Sequence, residues 1–180
     1  MEGHHCIAVN SGTSALHLGL LASGIECGDE VIIPSFTFAA TANAVALCGA
    51  TPVFVDIDIE TFTMDPKAAE AAITENTSAI MPVHLYGHPS NMDPLTEICS
   101  RKGLTLLEDA AQAHLATYKS QPVGTFGTAA FSFYPTKNMT SGEGGMNLTS
   151  DDEIARKAKQ LRNQGMEIRN QNEVVALNKR

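Results

Sequence analysis

A chain of 180 residues with 43% apolar and only 18% charged side chains can build one substantial core and suits a buried α/β sheet. The formal net charge of −8 works against attraction to nucleic acid or to anionic membrane surfaces, and no basic patch with interleaved aromatics offsets it. There is no apolar run of ~20 residues to span a bilayer and no charged-then-apolar leader ending in a cleavage site, so a cytoplasmic protein is expected.

Taken in chain order, Ile7 to Val9 predicts a strand and Ser11 to Ser14 a turn. Ala15, Leu16, Leu18, Leu20 and Leu21 then begin a mostly buried helix. A small-residue turn feeding a helix presents unpaired backbone N–H groups and the positive end of the helix dipole to an anion, with hydroxyls alongside. Gly12, Thr13 and Ser14 therefore form a candidate phosphate cradle, although Ser-Gly-Thr before a helix is also an ordinary N-cap. No Gly-Lys-Ser/Thr follows, which excludes a Walker loop, and the Gly-x-Gly-x-x-Gly spacing of dinucleotide binders is absent.

Glu30 to Pro34 predicts a strand, Ala39 to Cys48 a helix, Gly49 a turn and Val53 to Asp56 a further strand. Asp65-Pro66 and Asp93-Pro94 each place an N-cap residue before a proline at the first helical position, opening helices to about Thr74 and Lys102. Strands are expected over Ala79 to Val83 and Leu104 to Leu107. His84 then approaches the crevice at a strand end, while Gly87 and Pro89 break the i, i+4 spacing of His84 and His88, so no metal site is expected. Phe36 is expected in the core. Gly145 to Thr149 predicts a strand, and Ser150 with Glu153 a capping box for a helix over Asp151 to Leu161. This alternation argues for a three-layer α/β/α sandwich with a mainly parallel sheet. Cys6, Cys27, Cys48 and Cys99 show no C-x-x-C spacing and read as buried free thiols.

Two positions carry the chemistry. The run Leu104 to Leu107 ends in Glu108 and Asp109, and ligands of open α/β sheets lie outside the carboxyl ends of the strands, so Asp109 points into the crevice. The alternative is that both acids merely cap the next segment. Lys137 follows the apolar run Thr128 to Tyr134 and precedes Ser141-Gly-Glu-Gly-Gly145, so it emerges from a buried strand into a close-packed loop, unlike most of the other lysines, which fall in helix faces or turns. An amine to attack an aldehyde and a carboxylate to stabilise a protonated pyridine nitrogen are what pyridoxal phosphate demands.

The motifs Asn10-Ser-Gly-Thr-Ser-Ala-Leu16, Pro34-Ser-Phe-Thr-Phe38, Gly49-Ala-Thr-Pro-Val-Phe-Val-Asp56, Pro82-Val-His-Leu-Tyr-Gly87, Glu108-Asp-Ala-Ala-Gln-Ala-His114 and Ser132-Phe-Tyr-Pro-Thr-Lys-Asn138 resemble, in this order, those of the DegT/StrS sugar aminotransferases. These are pyridoxal-phosphate enzymes of the aspartate-aminotransferase fold type. The resemblance implies that Lys137 bonds covalently to the cofactor and Asp109 pairs with its ring nitrogen. It further implies that Gln112 lies near the ring hydroxyl, that Phe38 stacks on the ring, and that Thr13, Ser14 and Ser132 contact the phosphate. Asn178 would reach the phosphate of a neighbouring subunit, which implies a homodimer, although Lys179 stands where the family usually has an aromatic.

The implied reaction is transamination of a nucleotide-linked keto-sugar, with glutamate as amino donor, in amino-sugar or polysaccharide biosynthesis. A related dehydratase branch has histidine in place of the lysine, and Lys137 argues against it. Members of the family are much longer. The expectation is a large-domain fragment, with an N-terminally truncated cofactor-binding domain over residues 1–162 and a polar tail over 163–180 that leads toward a missing small domain and needs a partner surface to become ordered. The competing expectation is a non-catalytic or regulatory remnant of the same fold.

Overall fold

The structure, a computed structural model, describes residues 4–170 and 173–176. Its strands are β1 (His5–Val9), β2 (Glu30–Pro34), β3 (Thr51–Val55), β4 (Thr77–Ile80), β5 (Thr105–Asp109), β6 (Thr117–Tyr118), β7 (Gln121–Pro122), β8 (Thr128–Ser132), β9 (Gly145–Thr149), β10 (Met166–Asn170) and β11 (Glu173–Ala176). The α-helices are α1 (Gly12–Ala22), α2 (Ala39–Leu47), α3 (Pro66–Ala71), α4 (Met92–Lys102) and α5 (Asp152–Arg162).

Seven strands form one sheet in the order β1-β9-β8-β5-β4-β2-β3, while β6 pairs with β7 and β10 with β11 in separate two-stranded ribbons. Every neighbouring pair from β3 across to β8 is parallel. Only β9 is reversed, antiparallel to both β8 and β1, so the mainly parallel sheet expected from the helix–strand alternation is present. The loop from Phe133 to Gly144 that makes this reversal is the segment carrying Lys137.

Strand residues alternate between the two faces, and both faces are covered. Val31 and Ile33 of β2 pack with Leu16 and Leu20 of α1 and Ala44 and Val45 of α2. Ile32 turns the other way, against Ala69 of α3 and Leu95 and Ile98 of α4. Helix α5 joins α1 on the first face, where Ala155 and Ala158 meet Ile7, Leu18 and Ala22. The result is the three-layer α/β/α sandwich.

Several helix boundaries differ from those the sequence suggests. Asp65 caps α3 as expected, accepting from the Lys67 N–H at 2.9 Å with Pro66 in the first turn, but α3 stops at Ala71. The N-cap position of α4 is Asn91, whose side chain makes no cap hydrogen bond, and Asp93 falls inside the first turn, where the acid complements the helix dipole. For α5 the cap is Asp151, accepting from Glu153 N–H at 2.8 Å and Ile154 N–H at 2.9 Å, so Ser150 lies one residue outside. A carboxylate in that position satisfies two orphan donors and carries charge, which a serine hydroxyl cannot match. All four cysteines are free, but only Cys99 is buried; Cys6 and Cys27 are exposed and Cys48 is intermediate. Within the stretch read as a tail, β10 and β11 form an antiparallel hairpin, and Asn178 lies outside the described residues.

Candidate active site

A cavity of about 550 Å3 opens at the carboxyl ends of β5 and β8, beside the N-terminus of α1. Gly12, Thr13, Phe38, Asp109, Gln112, Ser132 and Lys137 all line it, although they come from five separate stretches of chain. Of the residues expected at the site, Ser14 is not on its wall and Asn178 is not described.

The α1 end of the cavity is built from backbone. Ser11, extended at φ −160° and ψ 163°, is the N-cap: its Oγ accepts the Ser14 N–H at 3.1 Å and donates to Ser14 Oγ at 3.0 Å. Ser14 therefore fixes the cap. A Cβ on Gly12 would lie 2.7 Å from Ser132 Cβ, and one on Gly145 would lie 2.1 Å from the Ser11 carbonyl oxygen. The ends of β8 and β9 thus press directly on the start of the helix, an approach only glycine permits. The N–H groups of Gly12 and Thr13 have no i−4 carbonyl within the helix, and they lie beside the Ser132 hydroxyl, as a phosphate cradle requires.

Asp109 closes β5 and is only 5% exposed. Its Oδ2 accepts from Thr41 Oγ1 at 2.7 Å and its Oδ1 from the Ala111 N–H at 3.2 Å, while Thr37 Oγ1 lies 2.8 Å from Thr41 Oγ1 and supports it from behind. Burial pushes the carboxyl above the ordinary carboxylate range, and the Thr41 and Ala111 hydrogen bonds and the charge of Lys137 pull in the opposite direction. A buried acid held in fixed geometry could hold a cationic ring nitrogen. Thr41 was not anticipated; the signal for it is a hydroxyl in the otherwise small and apolar run Ala39-Ala-Thr-Ala42 of a buried helix.

Lys137 is half-buried in the loop after β8, its N–H donating to the Tyr134 carbonyl at 2.9 Å. Phe38 stands at the N-cap of α2 and is 70% exposed, an aromatic on the cavity wall left mostly uncovered by the described residues. Gln112 accepts the Tyr86 backbone N–H on its Oε1 at 2.8 Å. Tyr134 and Glu143 also line the cavity, neither singled out in the sequence.

Three other expectations need correction. His84 does not face the cavity: Val83 and Leu85 on either side do, while the His84 ring is fully buried. Its Nδ1 accepts the Ser90 N–H at 3.0 Å, which leaves the proton on Nε2 to donate to Glu108 Oε2 at 3.1 Å. Glu108 is not a cap for the next segment. Its two oxygens also accept the N–H groups of Gly124, Phe126 and Gly127 at 2.8–3.0 Å, tying that loop under β5. Phe36 is 44% exposed and packs at a tilt on Phe62, with ring centroids 6.1 Å apart. Among the described residues no group of three or more His, Cys, Asp or Glu side chains could hold a metal ion.

A half-buried amine, a buried acid, an exposed aromatic and a helix N-terminus with free backbone N–H groups meet on one cavity, and together they could hold a phosphorylated aromatic aldehyde. The chain belongs to the DegT/DnrJ/EryC1/StrS aminotransferase family, whose model matches residues 1–180; the family's enzymes depend on pyridoxal phosphate. It is 54% identical over 164 residues to the GDP-perosamine synthase of Caulobacter vibrioides, an alignment covering 91% of this chain and 44% of that protein. It is 48% identical over 181 residues to the dTDP-3-amino-3,4,6-trideoxy-alpha-D-glucose transaminase of Streptomyces venezuelae, covering 99% and 48% respectively. The chain thus spans about half the length of the curated relatives it matches. Among solved structures, S. venezuelae DesV in complex with a ketimine intermediate superposes with a TM-score of 0.89 at 48% identity, covering 94% of this chain and 46% of that one. NtdA from Bacillus subtilis with bound cofactor PMP superposes at 0.88 with 40% identity, covering 96% and 39%.

Proposed function

We propose that this chain is the cofactor-holding part of a pyridoxal-phosphate aminotransferase that moves an amino group from glutamate to the ketone of a nucleotide-linked sugar, as a cytoplasmic homodimer. The observation that carries the reading is the meeting of Lys137 and Asp109 on one cavity beside the α1 N-terminus. The synthase and transaminase relatives, whose names include GDP and dTDP sugars, support the substrate class.

When bound, the cofactor supplies an electron-accepting ring that carries the amino group between donor and acceptor. Asp109 would hold the proton-bearing ring nitrogen by a charge-assisted hydrogen bond, and Thr41 and Ala111 keep its oxygens aimed. Phe38, on the cavity wall, would supply an aromatic for offset stacking, worth on the order of 1 kcal/mol. Gly12, Thr13 and Ser132 would hold the phosphate, with Ser14 bracing the cap. Lys137 is the amine that would hold the cofactor's aldehyde, and its Nζ, once free, would take and return the proton at the substrate carbon. Residues 1–162 would act as the cofactor domain and the stretch from 163 would lead on toward a further domain, while Asn178, expected at the neighbouring subunit's phosphate, lies outside the described residues. The retained Lys137 and Asp109 weigh against a non-catalytic remnant.

The test is to add pyridoxal phosphate to the purified chain, record its visible spectrum, then add glutamate. A new visible band that is absent in Lys137→Ala and bleaches with glutamate is expected. In a chain carrying the relatives' remaining half, the loaded form should aminate a GDP- or dTDP-linked keto-sugar. No band, or a band that survives in Lys137→Ala, contradicts the proposal.

A further inference from the structure

The turn Leu85–Gly87 is strained in a way that its own hydrogen bonds do not explain. Tyr86 is left-handed at φ 54° and ψ 22°, and Gly87 follows at φ 84°. A tyrosine in that region is uncommon and carries a conformational cost. The Gly87 N–H donates to the His84 carbonyl at 3.3 Å and the His88 N–H to the Leu85 carbonyl at 2.9 Å, so both are used within the turn. The Tyr86 N–H is not. It points out of the turn and donates to Gln112 Oε1 at 2.8 Å, while the Tyr86 residue itself is 78% exposed.

A backbone N–H is only a donor, so the atom it meets on a glutamine amide must be the oxygen. With Oε1 turned to the Tyr86 N–H, the amide's other group is Nε2, which is only a donor, and Gln112 lines the cavity. The turn that enforces this is rooted at both ends. The His84 N–H donates to the Asp109 carbonyl at 3.0 Å, Ser90 holds the His84 ring and the Val83 carbonyl, and Glu108 receives the far side of that ring. A Cβ on Gly87 would sit 3.4 Å from the Gln112 carbonyl oxygen, in a conformation L side chains rarely adopt.

We infer that the Leu85–Gly87 turn is a positioning device: its exposed Tyr86 N–H locks the Gln112 amide so that Gln112 faces the cavity as an obligate hydrogen-bond donor. Resting on the cofactor reading above, the acceptor it serves is the negatively charged ring oxygen of pyridoxal phosphate. Gln112 donates to that oxygen without adding charge. A flipped amide would set oxygen against oxygen, and the lock removes that state. Tyr86 and Gly87 act only through Gln112, so they are positioning residues.

The lock is read without any cofactor from amide hydrogen exchange of the full chain. In the parent, the Tyr86 N–H should exchange about fivefold to tenfold more slowly than in Gln112→Met, the effect of one hydrogen bond, with the Gly87 and His88 amides unchanged. Gln112→Glu should keep the protection, because a carboxylate still accepts from Tyr86, yet it turns an acceptor toward the cavity. In the pyridoxal-phosphate-loaded chain, both variants should therefore raise the pH midpoint of the visible band by roughly one unit, since each removes a donor that stabilises the ring oxygen's charge. Equal Tyr86 exchange in parent and Gln112→Met overturns the lock. Protection lost in Gln112→Glu, or midpoints unmoved in both variants, overturns the donor assignment. Absence of any visible band in the parent would sink the cofactor reading while leaving the exchange result to decide the lock itself.

Discussion

Asp109 is an acid in a place that disfavours its charge, and this has a measurable sign. Burial holds its carboxyl above the ordinary range in the cofactor-free fold, so the folded state binds the proton more tightly than the unfolded one. Its contribution to stability is therefore greatest below the unfolded carboxyl pKa and is lost as pH rises toward and through the raised folded value. Asp109→Asn, nearly isosteric and uncharged, should leave the cofactor-free chain at least as stable as the parent at neutral pH, with the advantage shrinking as pH falls. The loaded chain should respond in the opposite sense, losing about 1.5–3 kcal/mol of charge-assisted interaction with the ring nitrogen and slowing the half-reaction with glutamate. Melting curves of both forms across pH check this; a variant less stable than the parent in both would contradict the burial effect. Asp109 and Lys137 were legible because strand-end acids and a lysine set in an apolar run are chemically conspicuous. Thr41 was not: its hydroxyl stands out in a small apolar run, but the partner it serves, Asp109, lies 68 positions away.

At the scale of the elements, β5 divides two tasks between adjacent residues: Asp109 faces the cavity and Glu108 faces the loop beneath it. Glu108→Ala would leave three backbone N–H groups and the His84 ring without their acceptor, at a cost of about 3 kcal/mol or more. Denaturant midpoints should show that loss, while cofactor capture by Lys137 persists below the variant's melting temperature. A midpoint within error of the parent's would show that the loop does not depend on Glu108. Strand periodicity assigns the two acids to opposite faces but cannot name loop amides 16 to 19 positions downstream as partners. Helix starts were legible where one capping signal stood alone, as at Asp65. They were misplaced where two polar residues competed, as with Ser150 and Asp151 or Asn91 and Asp93.

For the whole molecule, the alternation of strand and helix signals was enough to give the three layers, but not the reversal of β9. An antiparallel return is encoded by the loop after β8, whose course depends on the close approach of Gly145 to Ser11 and not on any periodic pattern. Large apolar side chains stand exposed among the described residues, including Phe36 and Phe62, whose rings touch, and Phe54 and Ile59. Exposed apolar surface favours association, so the 180-residue chain is expected to self-associate. It should also turn over poorly even when it holds cofactor, because turnover needs elements that exclude water and orient the sugar. Sedimentation beside a glutamate-dependent amination assay checks both; a monodisperse monomer with ordinary turnover would contradict the expectation.

The cofactor site stands or falls on one bond. If the cavity at the ends of β5 and β8 holds pyridoxal phosphate, its amine is expected to be Lys137, the lysine that lines it among the described residues. Borohydride reduction of the chain loaded with pyridoxal phosphate, then proteolysis and peptide mass mapping, should place a single pyridoxyl adduct on the peptide containing Lys137. An adduct found mainly on an exposed lysine such as Lys119, which pairs with Asp93 at the surface, or on no peptide at all, would contradict the account.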